Sequence, residues 1–434
     1  MAGEKKGKLK DVCSKIGSGA TPRGGKEAYK GGETTLIRSQ NVYNEGFHRD
    51  GLVNISDQQA AELKNVELRS GDVLLNITGD SVARCCQVED AVLPARVNQH
   101  VAIIRPRMNE LDARFLRYVL ISPALQSHLL SLASAGATRN AITKAMIENL
   151  HVPIPPLPEQ KRIAHILGTL DDKIELNRRM NATLEGMAQA LFKSWFIDFD
   201  PVIDNILVKN MAKCSDQNQP SPPAPLPGVE GSSKSPRPLG EDLGEGAIFD
   251  GIPEEFMGRA EIRRQALADG TANREAAKHF PSAFQFTKEV GWIPEGWKEA
   301  KLNDLLDVKY GKDHKKLAEG SIPVYGSGGL MRYAEKALYS GESVLIPRKG
   351  TLSNILYLNE KFWTVDTMFY TTPKCKYVLK YAFYHLKSLD FASMNVGSAV
   401  PSMTTKVLNA LPIVMPAESS LHNFGSSRFI EKII

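Results

Sequence analysis

No apolar run among the 434 residues approaches the roughly 18–20 that would span a bilayer. The amino terminus, MAGEKKGKLKDVCSK, carries lysines with no apolar stretch behind them, so no secretory signal is expected. Both absences point to a cytoplasmic protein with no membrane partner. Cysteine is scarce. The five present, with Cys85 and Cys86 adjacent, make no disulfide framework. They also lack the paired C-x-x-C spacing of structural zinc, so no metal site is expected. Catalytic motifs are missing as well. Gly311-Lys312 is followed by Asp313, which breaks the pattern of a phosphate-binding loop. There is no H-E-x-x-H, and no G-x-S-x-G or G-x-G-x-x-G between a strand and a helix. The Asn/Asp-Pro-Pro-aromatic signature of adenine-N6 methyltransferases is absent too. The histidines are scattered, and His48, His100 and His314 read as structural. Asp171 and Asp172, beside Lys173, read as a solvated helix face and not as a catalytic pair. Charge of one sign is in small excess: 54 Lys+Arg against 49 Asp+Glu gives +5, which permits nucleic-acid binding without indicating it.

What is present is a repeat of long period. Leu9-Lys10-Asp11-Val12 is echoed by Leu302-Asn303-Asp304-Leu305, and Ser70-Gly71-Asp72-Val73-Leu74-Leu75 by Ser340-Gly341-Glu342-Ser343-Val344-Leu345. Phe115-Leu116-Arg117-Tyr118 is matched by Val378-Leu379-Lys380-Tyr381. A Gly-led loop from Gly136 to Lys144 is matched by Gly397 to Lys406, and Val152-Pro153-Ile154 by Leu411-Pro412-Ile413. Five weak matches in one order imply two diverged homologous domains. Within each, short strands (Val73 to Ile77 and Val97 to Ile104; Ser343 to Ile346 and Ile355 to Leu358) precede a helix (Asp112 to Leu132; Lys376 to Leu389). The fold class is α+β.

Between the copies, Pro155-Pro156-Leu157-Pro158 stops the first domain. From Glu159 to about Phe199 the apolar spacing alternates fours and threes through Ile163, Leu167, Leu170, Ile174, Asn177, Asn181, Leu184, Ala188, Leu191 and Trp195. That heptad seam predicts a coiled-coil partner helix roughly 60 Å long. After Asp200-Pro201 the pattern dissolves, and residues 214 to 250 hold seven Pro and five Gly, as a linker would. A helical piece from Glu254 to His279 then leads to Gly291-Trp292-Ile293-Pro294-Glu295-Gly296-Trp297. The expected organisation is 1–155, first domain; 156–200, central helix; 201–290, linker; 291–416, second domain; 417–434, a short distal segment.

Side chains able to reach base edges or phosphates crowd the polar loops. In the first copy they are Arg23, Lys26, Tyr29, Arg38, Gln40, Asn41, Thr78, Arg84, Asn98, Gln99, Arg139, Asn140 and Lys144. In the second they are Tyr310, Lys312, Lys315, Lys316, Tyr325, Ser327, Arg348, Lys349, Thr351 and Lys406.

Two α+β domains, each followed by a proline-to-glutamate entry into a helix (Pro156-Leu157-Pro158-Glu159 and Pro416-Ala417-Glu418), resemble the DNA-specificity (S) subunits of Type I restriction-modification systems. Pro155 to Ala164 is similar to that family's entry to its central conserved helix, and so are Leu170 to Asn177 and Met187 to Pro201. His279-Phe280-Pro281-Ser282 and Ile293 to Trp297 resemble the lead-in to its second target-recognition domain. The resemblance implies a non-catalytic subunit whose two target-recognition domains each read half of a split site on double-stranded DNA, with the helix as a ruler. It implies two methyltransferase (M) subunits as partners and restriction (R) subunits recruited through them. S-adenosylmethionine, ATP and Mg would sit on those partners and no cofactor on this chain. One feature departs from the family. Glu418 is followed by Ser419 and only 16 residues remain, so the expectation is that the second conserved helix is truncated or phase-varied, or that another chain completes the coil. The alternatives are a coiled-coil assembly scaffold without base readout, or a specificity domain of a self-contained modification enzyme.

Overall fold

Successive side chains of a strand face opposite ways, and in the run from Val73 to Ile104 both ways are apolar. Val73, Leu75, Ala102 and Ile104 enter one buried cluster; Leu74, Val101 and Ile103 enter another. A sheet with cores on both faces follows. The computed structural model describes residues 6–24, 29, 31–134, 140–217, 245–391, 393, 402–427 and 430. The chain forms two units, Met1–Arg178 and Arg179–Ile434.

The first unit opens with β1 (Lys6–Lys8), α1 (Leu9–Val12), β2 (Cys13–Ser18) and β3 (Thr34–Ile37). β4 (Val42–Tyr43), β5 (Gly46–Phe47), β6 (Val53–Ile55), α2 (Asp57–Glu62), β7 (Val73–Asn76) and β8 (Cys85–Gln87) follow. Next come β9 (Ala95–Val97), β10 (Val101–Pro106), α3 (Ala113–Ile121), α4 (Pro123–Ser134), α5 (Lys144–Glu148) and β11 (His151–Pro153). α6 (Leu157–Phe196) begins in the first unit and ends in the second. The second unit adds α7 (Asp200–Gln217), α8 (Met257–Ala268), α9 (Arg274–Ala277), β12 (Phe284–Thr287) and β13 (Gly291–Pro294). β14 (Lys298–Lys301), α10 (Leu302–Leu305), β15 (Leu306–Tyr310), β16 (Ile322–Gly326) and β17 (Gly329–Ala334) come next. The chain closes with β18 (Tyr339–Pro347), β19 (Leu356–Thr364), β20 (Met368–Pro373), α11 (Val378–Ser388), α12 (Thr405–Asn409), β21 (Pro412–Met415) and α13 (Glu418–Gly425).

The repeat is visible in the topology. The first unit has a sheet ordered β2-β10-β7-β8, and the second has β15-β20-β18-β19 extended by β16-β17. In both units the strand just before the first short helix of the repeat pairs antiparallel with the closing one, β1 with β11 and β14 with β21. Gly19 and Gly311 occupy matching places. A Cβ on Gly19 would strike the Val97 and Asn98 carbonyls, and one on Gly311 the Val365 carbonyl, so only glycine fits either crossing. The second unit's sheet also separates two clusters: Val344, Ile346 and Phe369 face one, Leu345, Phe362 and Met368 the other.

Five expectations are corrected. The strand expected over Val97 to Ile104 is two strands in different sheets, because Asn98 folds a turn between them with Oδ1 accepting from His100 N at 3.1 Å. The helix expected over Asp112 to Leu132 is broken into α3 and α4 at Ser122-Pro123: a proline disfavours helical backbone before it, and Ser122 lies at φ −61°, ψ 145°. The long helix ends at Phe196, and Phe199 takes a left-handed φ of 53°. Residues 201–217 and 245–290 are not a linker. α7 starts at Asp200-Pro201, where proline suits a helix's first turn. Its Val202, Ile203, Ile206 and Leu207 are buried in the same cluster as Phe280, Ile293 and Trp297. The piece expected from Glu254 to His279 is two helices, α8 and α9, parted near Gly270 at φ 70°. Residues 218–244, most of the Pro/Gly-rich stretch, lie outside the described residues.

Gln160 explains the rigid entry to α6. It is fully buried. Its Oε1 accepts from Asp112 N at 2.8 Å, and its Nε2 donates to the carbonyls of Glu110 (3.0 Å) and Pro155 (2.9 Å). Asp112 in turn caps α3 by accepting from Phe115 N. One amide therefore fastens the long helix to the helix that covers the sheet. Asp171 and Asp172 add to this: Asp171 accepts from Arg117 (2.5 Å) and Tyr118 (2.7 Å), and Asp172 from Arg114 (2.7 Å). Burial would raise the Asp171 carboxyl, but the bonds from Tyr118 and Arg117 hold it below the usual carboxylate range.

Candidate nucleic-acid interface

In each unit one sheet loop is stitched to the segment that precedes a short helix. The β7–β8 loop bridges Thr78 to Ala141, and Ile77 O accepts from Ile142 N at 2.8 Å. The β18–β19 loop bridges Lys349 to Ser402, and Arg348 O accepts from Met403 N at 2.8 Å. Thr143 and Thr404 then cap α5 and α12, each hydroxyl accepting an amide proton three residues on. The leading parts of the two Gly-led loops, residues 136–139 and 397–401, lie outside the described residues, and with them Arg139. Asn140 and Ser402, which follow, are held beside the sheet loops.

Each stitched loop lays a guanidinium over a tyrosine. Arg84 sits 4.6 Å from the Tyr43 ring, which stacks on His48 with centroids 4.1 Å apart. Arg348 sits 5.3 Å from the Tyr310 ring, whose hydroxyl is 3.3 Å from Thr405 Oγ1. Such stacking orients a planar cation while its edge still presents N–H donors. In the first unit the result is a cleft of about 1060 Å³ lined by Ser39, Gln40, Tyr43, Thr78, Arg84, His100 and Asn140. Thr78 Oγ1 lies 2.7 Å from His100 Nδ1 across it. Hydroxyl, amide, imidazole and guanidinium groups converging on one concave surface can contact base edges and phosphates together.

Thr78, Arg84 and Asn140 are thus brought together, along with Gln40. Tyr43 and Ser39 join them without having stood out in the sequence, as does His100, which reads there as structural, because they arrive from separate segments and only the fold assembles them. Other candidates fold the loops. Asn41 is fully buried: its Oδ1 accepts from Arg38 N and its Nδ2 donates to the His48 and Asp50 carbonyls. Asn98 is buried in its turn. Arg38 donates to Gly51 O at 2.6 Å and lies 5.9 Å from Tyr29. Tyr325 donates to Glu360 at 2.8 Å, and burial followed by that carboxylate pushes its hydroxyl up to about 12. Arg23 lies exposed, its carbonyl receiving Gln59 Nε2; Gln99, Lys144 and Lys406 are exposed, Lys144 facing Glu148 at 3.5 Å. Lys26 lies outside the described residues. Lys312, Lys315, Lys316, Lys349 and Thr351 are exposed, and Ser327 is half-buried, near the Arg348 loop.

The family model described as the type I restriction modification DNA specificity domain matches residues 2–186 and 294–420. The chain belongs to this family. Specificity-domain relatives include the Type I restriction enzyme HindI specificity subunit of Haemophilus influenzae, 29% identical over 65% of this chain and 56% of that one. The MjaIX specificity subunit of Methanocaldococcus jannaschii is 29% identical over 47% of this chain and 46% of its own. The chain spans about half the length of these curated relatives. Among solved structures, the S subunit from M. genitalium aligns over 99% of this chain and 88% of that one at 14% identity, with a TM-score of 0.48.

In this specificity-family chain the heptad seam divides. Ile163 packs on the first unit's core, and Ala188, Leu191 and Trp195 pack on the second's. Between them Leu167, Leu170 and Ile174 are 36%, 56% and 50% exposed. Asn177 and Asn181 are exposed and Leu184 is half-buried. The distal segment is not idle. α13 buries Leu421 and Phe424, and Phe424 meets Phe196 edge-on at 5.2 Å and Trp195 at 5.8 Å. No helix among the described residues is long and apolar enough to cross a membrane.

Proposed function

We propose that this chain is the sequence-reading subunit of a Type I restriction-modification complex. It recognises a split site on double-stranded DNA, one half through each unit. It directs methyltransferase subunits, and restriction subunits through them, to that site. The observation that supports this most is the recurrence of one constellation in both units: a sheet loop bridged to the residues before a helix cap, carrying an arginine stacked on a tyrosine. Two readers of one design on one chain suit a two-part site. In this reading the chain contributes no catalytic group. S-adenosylmethionine, ATP and Mg belong to the partner subunits, two of them methyltransferases. The exposed face at Leu167, Leu170 and Ile174 is the surface the reading gives to a helix of another chain.

Binding of the purified full-length chain to duplex DNA tests the readers. Arg84→Ala and Arg348→Ala are each expected to weaken binding roughly tenfold, the scale of one good base or phosphate contact. Arg49→Ala removes an exposed cation paired with Glu89 and should change affinity less than about twofold. Unchanged affinity in both Arg84→Ala and Arg348→Ala would count against the assignment.

A further inference from the structure

The β16–β17 hairpin of the second unit exposes a cluster of large apolar side chains where an edge strand usually carries charge. Leu330, Met331 and Tyr333 are 51%, 55% and 51% exposed. Gly326 pairs with Gly329 and Tyr325 with Leu330, and the register shifts beyond that pair, so Met331 is the extra residue of a bulge. Bulges re-aim side chains and are common beside functional sites.

Two cationic loops are tied to this hairpin. On one side, Asn354 Nδ2 donates to Ser327 O at 2.9 Å, and a Cβ on Gly350 would come within 2.9 Å of Ser327 Oγ. The hairpin turn therefore abuts the loop that carries Arg348 and Lys349. On the other side, Arg332 donates to the carbonyls of His314 (2.9 Å) and Leu317 (2.8 Å), and Trp363 Nε1 donates to Lys312 O at 2.9 Å. These bonds hold the segment bearing Lys312, Lys315 and Lys316. Asp313 and Glu335 stand among them, their carboxylates accepting the Lys315 and Ala318 amides, and Glu360 accepts the Tyr325 hydroxyl on the hairpin itself, so the cations outnumber the acids five to three.

We infer that the hairpin is a wedge: it inserts Leu330, backed by Met331, at a base step of duplex DNA while the two loops tied to it hold phosphates. The inference rests on the DNA-binding reading above and adds that the second unit deforms the duplex. A protein partner would suit the apolar residues but not the five flanking cations. A polyanion with apolar stacked bases between its charges suits both, and apolar wedges that unstack a step are an established way to bend DNA.

Partial unstacking unwinds the helix, so the test is topological. The full-length chain is bound to relaxed closed-circular plasmid, topoisomerase I is added, and the deproteinised DNA is resolved by linking number. The wild-type chain is expected to leave a deficit in linking number that grows with its concentration. Leu330→Ser/Met331→Ser changes only exposed side chains, so it should fold normally, and at concentrations where it occupies plasmid to the same extent as wild type it should leave little or no deficit. Leu330→Phe should restore it. Wild type that binds without changing linking number overturns the wedge and leaves the DNA-binding reading intact. A double-serine variant that still unwinds overturns it too. Failure of the wild-type chain to bind plasmid at all overturns the reading beneath it.

Discussion

Asp204→Ala is expected to destabilise the second unit by about 3–5 kcal/mol, the cost of leaving a buried ion without its partner. The Asp204 side chain is 1% exposed, and Arg263 reaches it with two bonds of 2.8 and 2.6 Å. One turn earlier on α7, Asp200 receives Arg259 through two bonds of 2.6 Å, and Arg263 Nη1 lies 3.9 Å from the same carboxylate. The two aspartates thus clasp α8 to α7, and the carboxylates in turn hold both guanidinium groups more firmly protonated than usual. With Asp204 gone, Arg263 loses both of its short bonds and keeps only the more distant Asp200 carboxylate, 3.9 Å from Nη1. The melting midpoint of this unit should fall by roughly 10 °C. Asp204→Leu combined with Arg263→Met replaces both ions by apolar volume and should recover most of the loss. A fall of less than about 1 kcal/mol for Asp204→Ala would show that the clasp behaves as a surface pair.

Acid should loosen the same unit through His385. This ring stacks with Tyr381 on α11, and its Nε2 is shut off from solvent with no hydrogen-bond partner among the described residues. Burial outweighs the help of the Pro412 carbonyl and lowers its pKa from 6.5 to about 4. The unfolded chain therefore takes up a proton as pH falls through 6.5, while the folded chain waits until about 4. Between those values the unfolded state binds more protons, so stability falls with pH; above 6.5 the ring is neutral in both states and contributes nothing to the slope. The full difference amounts to about 3 kcal/mol. Denaturant unfolding of wild type and His385→Gln at neutral pH, pH 5 and pH 4 separates this ring from the carboxylates that also titrate there. The variant should lose less stability on acidification. Parallel curves for the two proteins would refute the assignment.

Much of this architecture is legible in the sequence because it is written twice. The paired landmarks from Leu9 and Leu302 onward correspond to α1 and α10, β7 and β18, α3 and α11, β11 and β21. The seam from Ile163 to Trp195 lies on one unbroken helix. The failures have physical causes. α7 hides because Asp200, Asp204 and Asn210 are buried along with Val202, Ile203, Ile206 and Leu207, so polar residues interrupt the apolar rhythm that reveals a surface helix. Asn41 and Asn98 misled because the amide that can read adenine can equally satisfy backbone carbonyls. Residue type states the capacity, and only burial decides the use. The cleft residues Ser39, Tyr43 and His100 lie far from Asn140 in sequence, and no local pattern joins them.

The central claim is that both units read DNA and that their half-sites are joined at a fixed spacing. Its most direct test is adenine-methylation mapping by single-molecule sequencing, with the full-length chain co-expressed with a Type I methyltransferase subunit in a host free of other adenine methylation. The account predicts one asymmetric motif in two parts with a spacer of constant length, and loss of specificity in one part with Arg84→Ala and in the other with Arg348→Ala. A palindromic motif would mean that a single unit reads twice, and an uninterrupted motif, or none from an assembled complex, would contradict the account outright.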